Sequence, residues 1–559
     1  MKEKIKKFYG TNSCKYLIIL LVTIILCIPM FGNKLNIYYD DGIQHLARAE
    51  GTYLSLKEGT LLGNIIHSFS NSFGYSWNLF YGMVTSFGII LFKTLTGSYV
   101  VGYKLFMALM LFLSGAFMYK LVNSSTNKQD ISLLAAIFYL SFPYHLTDLY
   151  TRNAVGEFAA FVFIPLVFLG LYNLLNNKEK YYYLPIGAIV LILTHNLTAV
   201  ITAIYAFIYF LINIKKVKEK SVQKGLLVSI LFILVCTLFY VAPLLETKLA
   251  ADYAVYSDGM MATKESFIAR ALELKQLFVT KEGQYSFEIG IHIIVMLGFS
   301  GLAYKNISKE KRKDYLFLLI SGLISIFMTT KYFPWKIFPE GIAMVQFPWR
   351  FMQIGMFFLS IVAAINAGMI IKRFCFKDVF VMSSVAVLLA FAVVLIPVEE
   401  NKFEEWSYES FGNMTGKEIE CIAGLGKEEY LPMKAYDNKF YIASREKGAK
   451  ALKGNIVVKN ELKVEGRYVA EMSITGEAAE IELPYIYYPG YEVRVDGMIV
   501  KEVFETENGM LGFAFEQDDH IKVEVEYIGT NLMKITLLVS IIGFISLFIY
   551  VFRKYKLEK

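Results

Sequence analysis

The sequence predicts a mainly α polytopic membrane protein with about twelve transmembrane helices and an extracytoplasmic β-rich domain. Composition is the first observation. Hydrophobic residues are 56% of the 559 and charged residues only 19%, and mean hydropathy is +0.46. A soluble chain of this length cannot hide so much apolar surface, so lipid must be the solvent for most of it. Second, apolar runs of spanning length recur with basic residues gathered in the short loops between them. Third, a single long polar segment, 398–532, ends in period-two alternation. A cytosolic enzyme, a disordered chain and a secreted disulfide scaffold are excluded. The net charge of +7 is small for a nucleic-acid binder and sits in the inter-span loops, so no nucleic-acid partner is expected. Of the five cysteines only Cys421 lies in a clearly polar stretch, and no metal or disulfide framework is spelled out.

The first apolar run, 16–32, follows a basic MKEKIKK start and ends CIPMFGNKLN without a small-x-small cleavage site, so it reads as a retained first span. Further runs follow at 99–119, 131–147, 157–175, 183–213, 225–244, 289–304, 315–330, 350–371, 379–397 and 533–552. The 183–213 stretch reads as two short helices broken near Thr194-His195-Asn196. The run at 78–96 is placed as non-crossing. With the N-terminus inside, Lys120 and Lys128, Lys178 and Lys180, Lys215 to Lys224, Lys305 to Lys313, Lys372 to Lys377 and Arg553 to Lys559 then share one side, as the positive-inside rule requires. Both termini are thus cytoplasmic. The division is a polytopic domain over 1–397 with a first outer loop at 33–98, a β-sandwich-like domain over 398–532, and a last span and tail over 533–559. Asp496-Gly497 and Asn508-Gly509 are hairpin-type turns, and Pro489-Gly490 is another break.

Chemistry, if present, collects on the outer face. YYDDGIQHLARAEG places Asp40 and Asp41 just past the first span, and Asp41, His45 and Arg48 are spaced to share one helix face. Such a face can take a proton and hold an anion; an N-cap aspartate with a solvated face has the same spacing. FPYHLTDLYTRNAVGE crowds His145, Asp148, Arg152 and Glu157 into one short turn, where snorkelling interfacial side chains are the plainer account. In LTHNLTA, His195 and Asn196 are costly facing lipid and should face a polar cavity, suited to a sugar hydroxyl or a phosphate. In VQFPWRF, Arg350 sits at the membrane surface, either as part of an aromatic-basic interfacial belt or paired with a lipid-borne phosphate. Walker, nucleophile-elbow and paired-cysteine motifs are absent from the sequence.

The acidic loop after the first span resembles the GT-C superfamily of polytopic glycosyltransferases. DDGIQHLAR, THNLTA, VQFPWRF, EEYLP and YYPGYEVRVDG, in that order, resemble the bacterial membrane-protein family labelled "6-pyruvoyl-tetrahydropterin synthase-related" and the neighbouring YfhO-like family. The pterin label carries no activity here, since a soluble pterin enzyme has no such spans. The resemblance implies a multi-pass protein of the bacterial plasma membrane that moves a sugar from a polyprenyl-phosphate donor to an extracytoplasmic glycan, polymer or lipid acceptor. It places the catalytic or metal-holding carboxylate on Asp41, with Asp40 beside it, and a basic residue at the outer end of a late span on Arg350. Arg152 or Arg350 would take the leaving phosphate. His45, Arg48, His145, Asp148, Glu157, His195 and Asn196 would line the pocket. A divalent cation, magnesium or manganese, would be held by Asp40 and Asp41. A transporter or flippase for a lipid-linked glycan and a non-catalytic envelope assembly protein are the alternative readings.

Overall fold

The structure is a computed structural model that describes residues 9–31, 41–256, 263–280, 285–371, 374–395, 428–464, 466–516 and 519–557. Among these residues six helices are long and apolar enough to cross a bilayer: Asn12–Phe31, Tyr99–Thr126, Val155–Leu175, Lys220–Ala250, Pro348–Ile370 and Asn531–Lys556. Lys309–Met328 and Phe376–Leu395 match them in length, with 20 residues each. The remaining expected spans are shorter or broken, so the count of twelve is not reproduced as twelve continuous helices.

The breaks have local causes. The 131–147 run ends its first helix at Leu140 and starts a second at Pro143, whose fixed φ and missing N–H suit the first helical position. The 183–213 run divides into Tyr183–Ile192 and Asn196–Ile212, as its central His-Asn predicts. His195 leaves the helical region (φ −153, ψ 106) and caps the second helix with its ring. Residues 78–96 form a short turn of helix, Trp77–Phe80, and then Val84–Thr96. At ~1.5 Å per residue the second piece is shorter than the ~30 Å hydrocarbon layer.

The helices pack at small residues. A Cβ on Gly170 would lie 1.9 Å from the Leu184 backbone nitrogen, so only glycine lets the chain around Phe163–Leu175 approach Tyr183–Ile192 so closely. Aromatic rings fill the centre, with Phe168 5.1 Å from Phe357 and 5.3 Å from Phe358.

The polar segment forms one antiparallel sheet: β1 (Lys450–Val464), β2 (Arg467–Ile486), β3 (Tyr491–Val495), β4 (Met498–Ile499), β5 (Val503–Glu505), β6 (Met510–Phe515) and β7 (Asp519–Tyr527). The long β2 pairs with β1 over most of its length, with β7 in its first half and with β6 in its second, which curls the sheet into a half-barrel. Asp496-Gly497 is the predicted hairpin turn, with φ of 49 and 80 joining β3 to β4. Where the sequence predicts a β-sandwich-like domain, the described residues form this one sheet without a second sheet against it. Its second layer is the first outer loop, whose Phe73 carbonyl accepts from Ile486 N–H at 2.9 Å. His67 packs edge-on to Tyr485 and Tyr491, at 5.8 and 6.2 Å. Farther along, Phe80 stacks on Tyr430 at 4.9 Å. Period-two alternation specifies strands with one buried face, but not what covers that face.

Candidate functional site

The helix Gly42–Lys57 begins at Asp41, and backbone bonds place that beginning. Asp41 N–H donates to the Arg152 carbonyl at 3.1 Å, and Asp41 C=O accepts from His45 N–H at 3.1 Å. The start of the Gly42–Lys57 helix is thereby stitched to the turn between two helices far along the chain. The Asp41 side chain makes no capping bond to its helix, so the plain N-cap account does not describe it. Asp40 lies outside the described residues.

The turn supplies the charged centre. Arg152 Nη1 donates to Asp148 Oδ1 at 2.6 Å, to the Tyr144 hydroxyl at 3.0 Å and to Glu157 Oε2 at 3.3 Å. Glu157 Oε1 accepts from the Tyr144 hydroxyl at 2.5 Å, and Arg350 Nε approaches Glu157 Oε2 to 3.5 Å. Glu157 therefore holds two guanidinium groups from distant segments. All of these side chains are buried. Burial raises the Asp148 carboxyl well above its ordinary range, with the Glu157 charge adding to it and Arg152 opposing, and its Oδ2 is buried without a partner. Burial pulls the Arg152 guanidinium down, but Asp148, Tyr144, Glu157 and Asp41 outweigh it and hold the group well above its usual value. Asp41 is thus close enough to act electrostatically on Arg152.

A cavity of ≈ 430 Å³ adjoins this centre, lined by Phe80, Tyr81, Gly82, His195, Asn196, Leu197, Val200, Leu244, Val255, Tyr256, Thr263, Ala343, Met344, Gln346, Arg350 and Tyr430. Its lining joins polar side chains, His195, Gln346, Arg350 and Tyr81, to apolar ones, Leu197, Val200, Leu244 and Met344, and Val200 and Met344 are 58% and 59% exposed. Arg350 Nη1 donates to the Val345 carbonyl at 2.9 Å and to Gln346 Oε1, which fixes its direction. His195 Nδ1 faces its own helix, 3.3 Å from the Thr198 N–H and 2.6 Å from the Thr198 hydroxyl. Tyr81 lies between the parts, with ring centres 5.7 Å from His45 and 6.0 Å from His195. Its hydroxyl is pressed on Gly156: a Cβ there would lie 2.0 Å from Oη.

Not every expected residue faces the cavity. His145 turns away, with Nδ1 2.9 Å from the Tyr139 carbonyl and the ring caged by Tyr139, Phe158 and Phe161 at 5.2, 5.2 and 4.8 Å. It is a packing histidine, a correction to its expected pocket role. Arg48 is likewise internal: Nε donates to Asn78 Oδ1 at 2.9 Å, and Nη2 to the Tyr81 and Gly82 carbonyls at 2.8 and 2.9 Å. It props the turn that carries Tyr81. Asn196 lines the cavity but spends Nδ2 on Tyr240 Oη at 2.8 Å. Sequence reading missed Tyr81, Tyr144 and Gln346; a tyrosine or glutamine among so many aromatic and polar residues gives no spacing signal. Among the described residues no group of three or more His, Cys, Asp and Glu side chains fits a metal ion.

Two comparisons bear on this chain. A family model described as "6-pyruvoyl-tetrahydropterin synthase related domain; membrane protein" matches residues 80–402, more than half of the sequence. An uncharacterized protein of Lactococcus lactis subsp. cremoris (strain MG1363) is 28% identical over 347 residues, which cover 60% of this chain and 56% of the relative. The chain thus spans little more than half the length of the curated relative it matches.

Proposed function

Because the chain belongs to the 6-pyruvoyl-tetrahydropterin synthase-related family of membrane proteins, whose name fixes no reaction for it, we propose that it is an integral membrane glycosyltransferase. On this reading it moves a sugar from a polyprenyl-phosphate donor to an extracytoplasmic cell-envelope glycan, polymer or lipid. One observation carries the reading. Glu157 gathers Arg152 and Arg350, Asp41 is bonded to the same turn, and Arg350 lines a cavity whose walls are part polar and part apolar.

The chemistry follows from those placements. The polyprenyl tail lies along the apolar part of the lining while its phosphate meets Arg350 and Arg152, where charge-assisted bonds contribute ~1.5–3 kcal/mol each. An acceptor hydroxyl attacks the anomeric carbon, the bond from that carbon to the phosphate oxygen breaks, and the electron pair leaves with polyprenyl phosphate. The hydroxyl proton passes to the Asp41 or Asp40 carboxylate. Direct displacement inverts the anomeric centre. Glu157 positions the two arginines so that they meet charge as it develops, without reorganisation. Positive charge between the spans argues for the plasma membrane with both termini cytoplasmic and the half-barrel outside.

Purified protein given a polyprenyl-phosphate sugar and acceptor should release polyprenyl phosphate, and the Asp40→Asn/Asp41→Asn variant should not. Full turnover by that variant would remove the carboxylate role. Movement of labelled lipid-linked glycan across liposomes with no bond change would instead make the protein a flippase.

A further inference from the structure

The helices that present the candidate site at their N-terminal ends meet again at their C-terminal ends around a second cavity. Val155–Leu175 carries Glu157 at one end and Phe168 and Tyr172 near the other; Asn196–Ile212 runs from His195 to Tyr209; Met352–Ile370 runs from Arg350 to Ile365 and Met369. Nineteen residues rise ~28 Å, close to a hydrocarbon thickness, so the second cavity lies in the opposite leaflet. Its volume is ≈ 350 Å³. The floor is apolar, with Phe168, Phe317, Phe357 and Ile361, whereas Lys128 and Lys311 stand on the rim.

Charge at the rim is out of balance. Lys178 Nζ donates to the Ser124 carbonyl and hydroxyl at 2.7 and 3.2 Å, and Lys311 Nζ to the Ser125 carbonyl at 3.3 Å. These bonds cap the end of helix Tyr99–Thr126 but leave donors on each ammonium, which has three. Among the described residues Lys128, Lys178 and Lys311 form no ion pair with a carboxylate. Burial and then the neighbouring Lys311 charge lower the Lys178 ammonium. The carboxylate in the cavity wall, Asp314, accepts from the Tyr209 hydroxyl at 3.2 Å.

From this juxtaposition we infer that the cavity between the helix C-termini is a binding site for an anionic diacyl phospholipid, with one acyl chain on the phenylalanine floor and the headgroup phosphate at Lys128 and Lys311. Two lysines against the single carboxylate of Asp314 leave the lining net positive above an apolar slot, which complements an anionic lipid better than a zwitterionic one. The inference is independent of the transferase reading, because none of its residues touches the first site.

The test uses the full chain in nanodiscs with phosphatidylglycerol or phosphatidylcholine carrying a photoactivatable acyl chain. Labelling of peptides spanning 357–369 should be at least fivefold stronger from phosphatidylglycerol. Lys128→Gln/Lys311→Gln should abolish the preference, and Lys128→Arg/Lys311→Arg should keep it. Equal labelling by the two lipids, or none at 357–369, overturns the site on wild-type protein alone, whether or not the glutamine variant folds. Stronger labelling there by a photoactivatable polyprenyl phosphate than by phosphatidylglycerol overturns it as well.

Discussion

Arg350 Nε lies 3.5 Å from Glu157 Oε2, a contact between the entry to one helix and the first turn of another. The same carboxylate oxygen serves Arg152 at 3.3 Å. Removing it takes a shared carboxylate from two buried guanidinium groups, of which Arg152 keeps Asp148 and Arg350 keeps no carboxylate among the described residues. Breaking a buried pair in this way costs roughly 3–5 kcal/mol. Glu157→Gln is therefore expected to lower the thermal midpoint of the detergent-solubilised protein strongly and to cut turnover at least a hundredfold; Glu157→Asp should retain part of both. A Glu157→Gln protein with wild-type midpoint and turnover would remove Glu157 from the account.

Gly156 and Tyr81 form a second pair. The glycine Cα leaves no room for a methyl beneath the tyrosine hydroxyl. Overpacking costs about 1–3 kcal/mol, so Gly156→Ala should destabilise by that order and displace Tyr81. Tyr81→Phe removes the nearest atom but leaves Cζ 2.8 Å from the added methyl, so the double variant should recover part of the lost midpoint. Additive losses in the double-mutant cycle would show that the two positions are uncoupled.

In the half-barrel, Glu482 Oε1 accepts from Tyr441 and Arg445 at 2.7 and 2.9 Å, and Oε2 from Thr506 and Asn508 at 2.8 and 3.0 Å. Burial raises this carboxyl, but those bonds outweigh it and the group ends below its ordinary value. A folded-state value below the unfolded one means stability present above the unfolded ~4.3 and lost as pH falls below it. Thermal midpoints measured from pH 7 down to pH 3 should drop on the acid side, with a shallower acid limb in Glu482→Gln. An unchanged acid limb would dissociate Glu482 from acid stability.

Arg350 is directed by Gln346 and the Val345 carbonyl, so its fork, and not only its charge, is set. Lysine keeps the charge and loses the planar two-point grip. Arg350→Lys should raise KM for the polyprenyl-phosphate donor roughly tenfold or more, with a smaller change in the acceptor KM. Equal changes for both substrates would place Arg350 outside the donor site.

Much of the site can be read from sequence, for physical reasons that also mark where reading stops. Four ionisable residues in a short inter-span turn are expensive beside lipid, which singles out Asp148, Arg152 and Glu157; the same argument included His145, because spacing does not say that an imidazole points into an aromatic cage. Asp41, His45 and Arg48 share a helix, yet Arg48 reaches back to prop the Tyr81 turn. Tyr81 was invisible because its role depends on the close approach of Gly156, a contact between distant segments. Strand periodicity gave the half-barrel its strands, whereas its covering layer comes from residues 67–80, which carry no such pattern.

The most direct measurement of the central claim is binding of polyprenyl phosphate against the corresponding polyprenol, read as a thermal shift in wild-type protein and in the Arg152→Gln and Arg350→Gln variants. Wild type should be stabilised by the phosphate and not by the alcohol, and the Arg350→Gln variant should lose at least tenfold in affinity. Equal stabilisation by alcohol and phosphate, or a phosphate shift that survives both arginine substitutions, would contradict a phosphate-binding site at the Glu157 cluster.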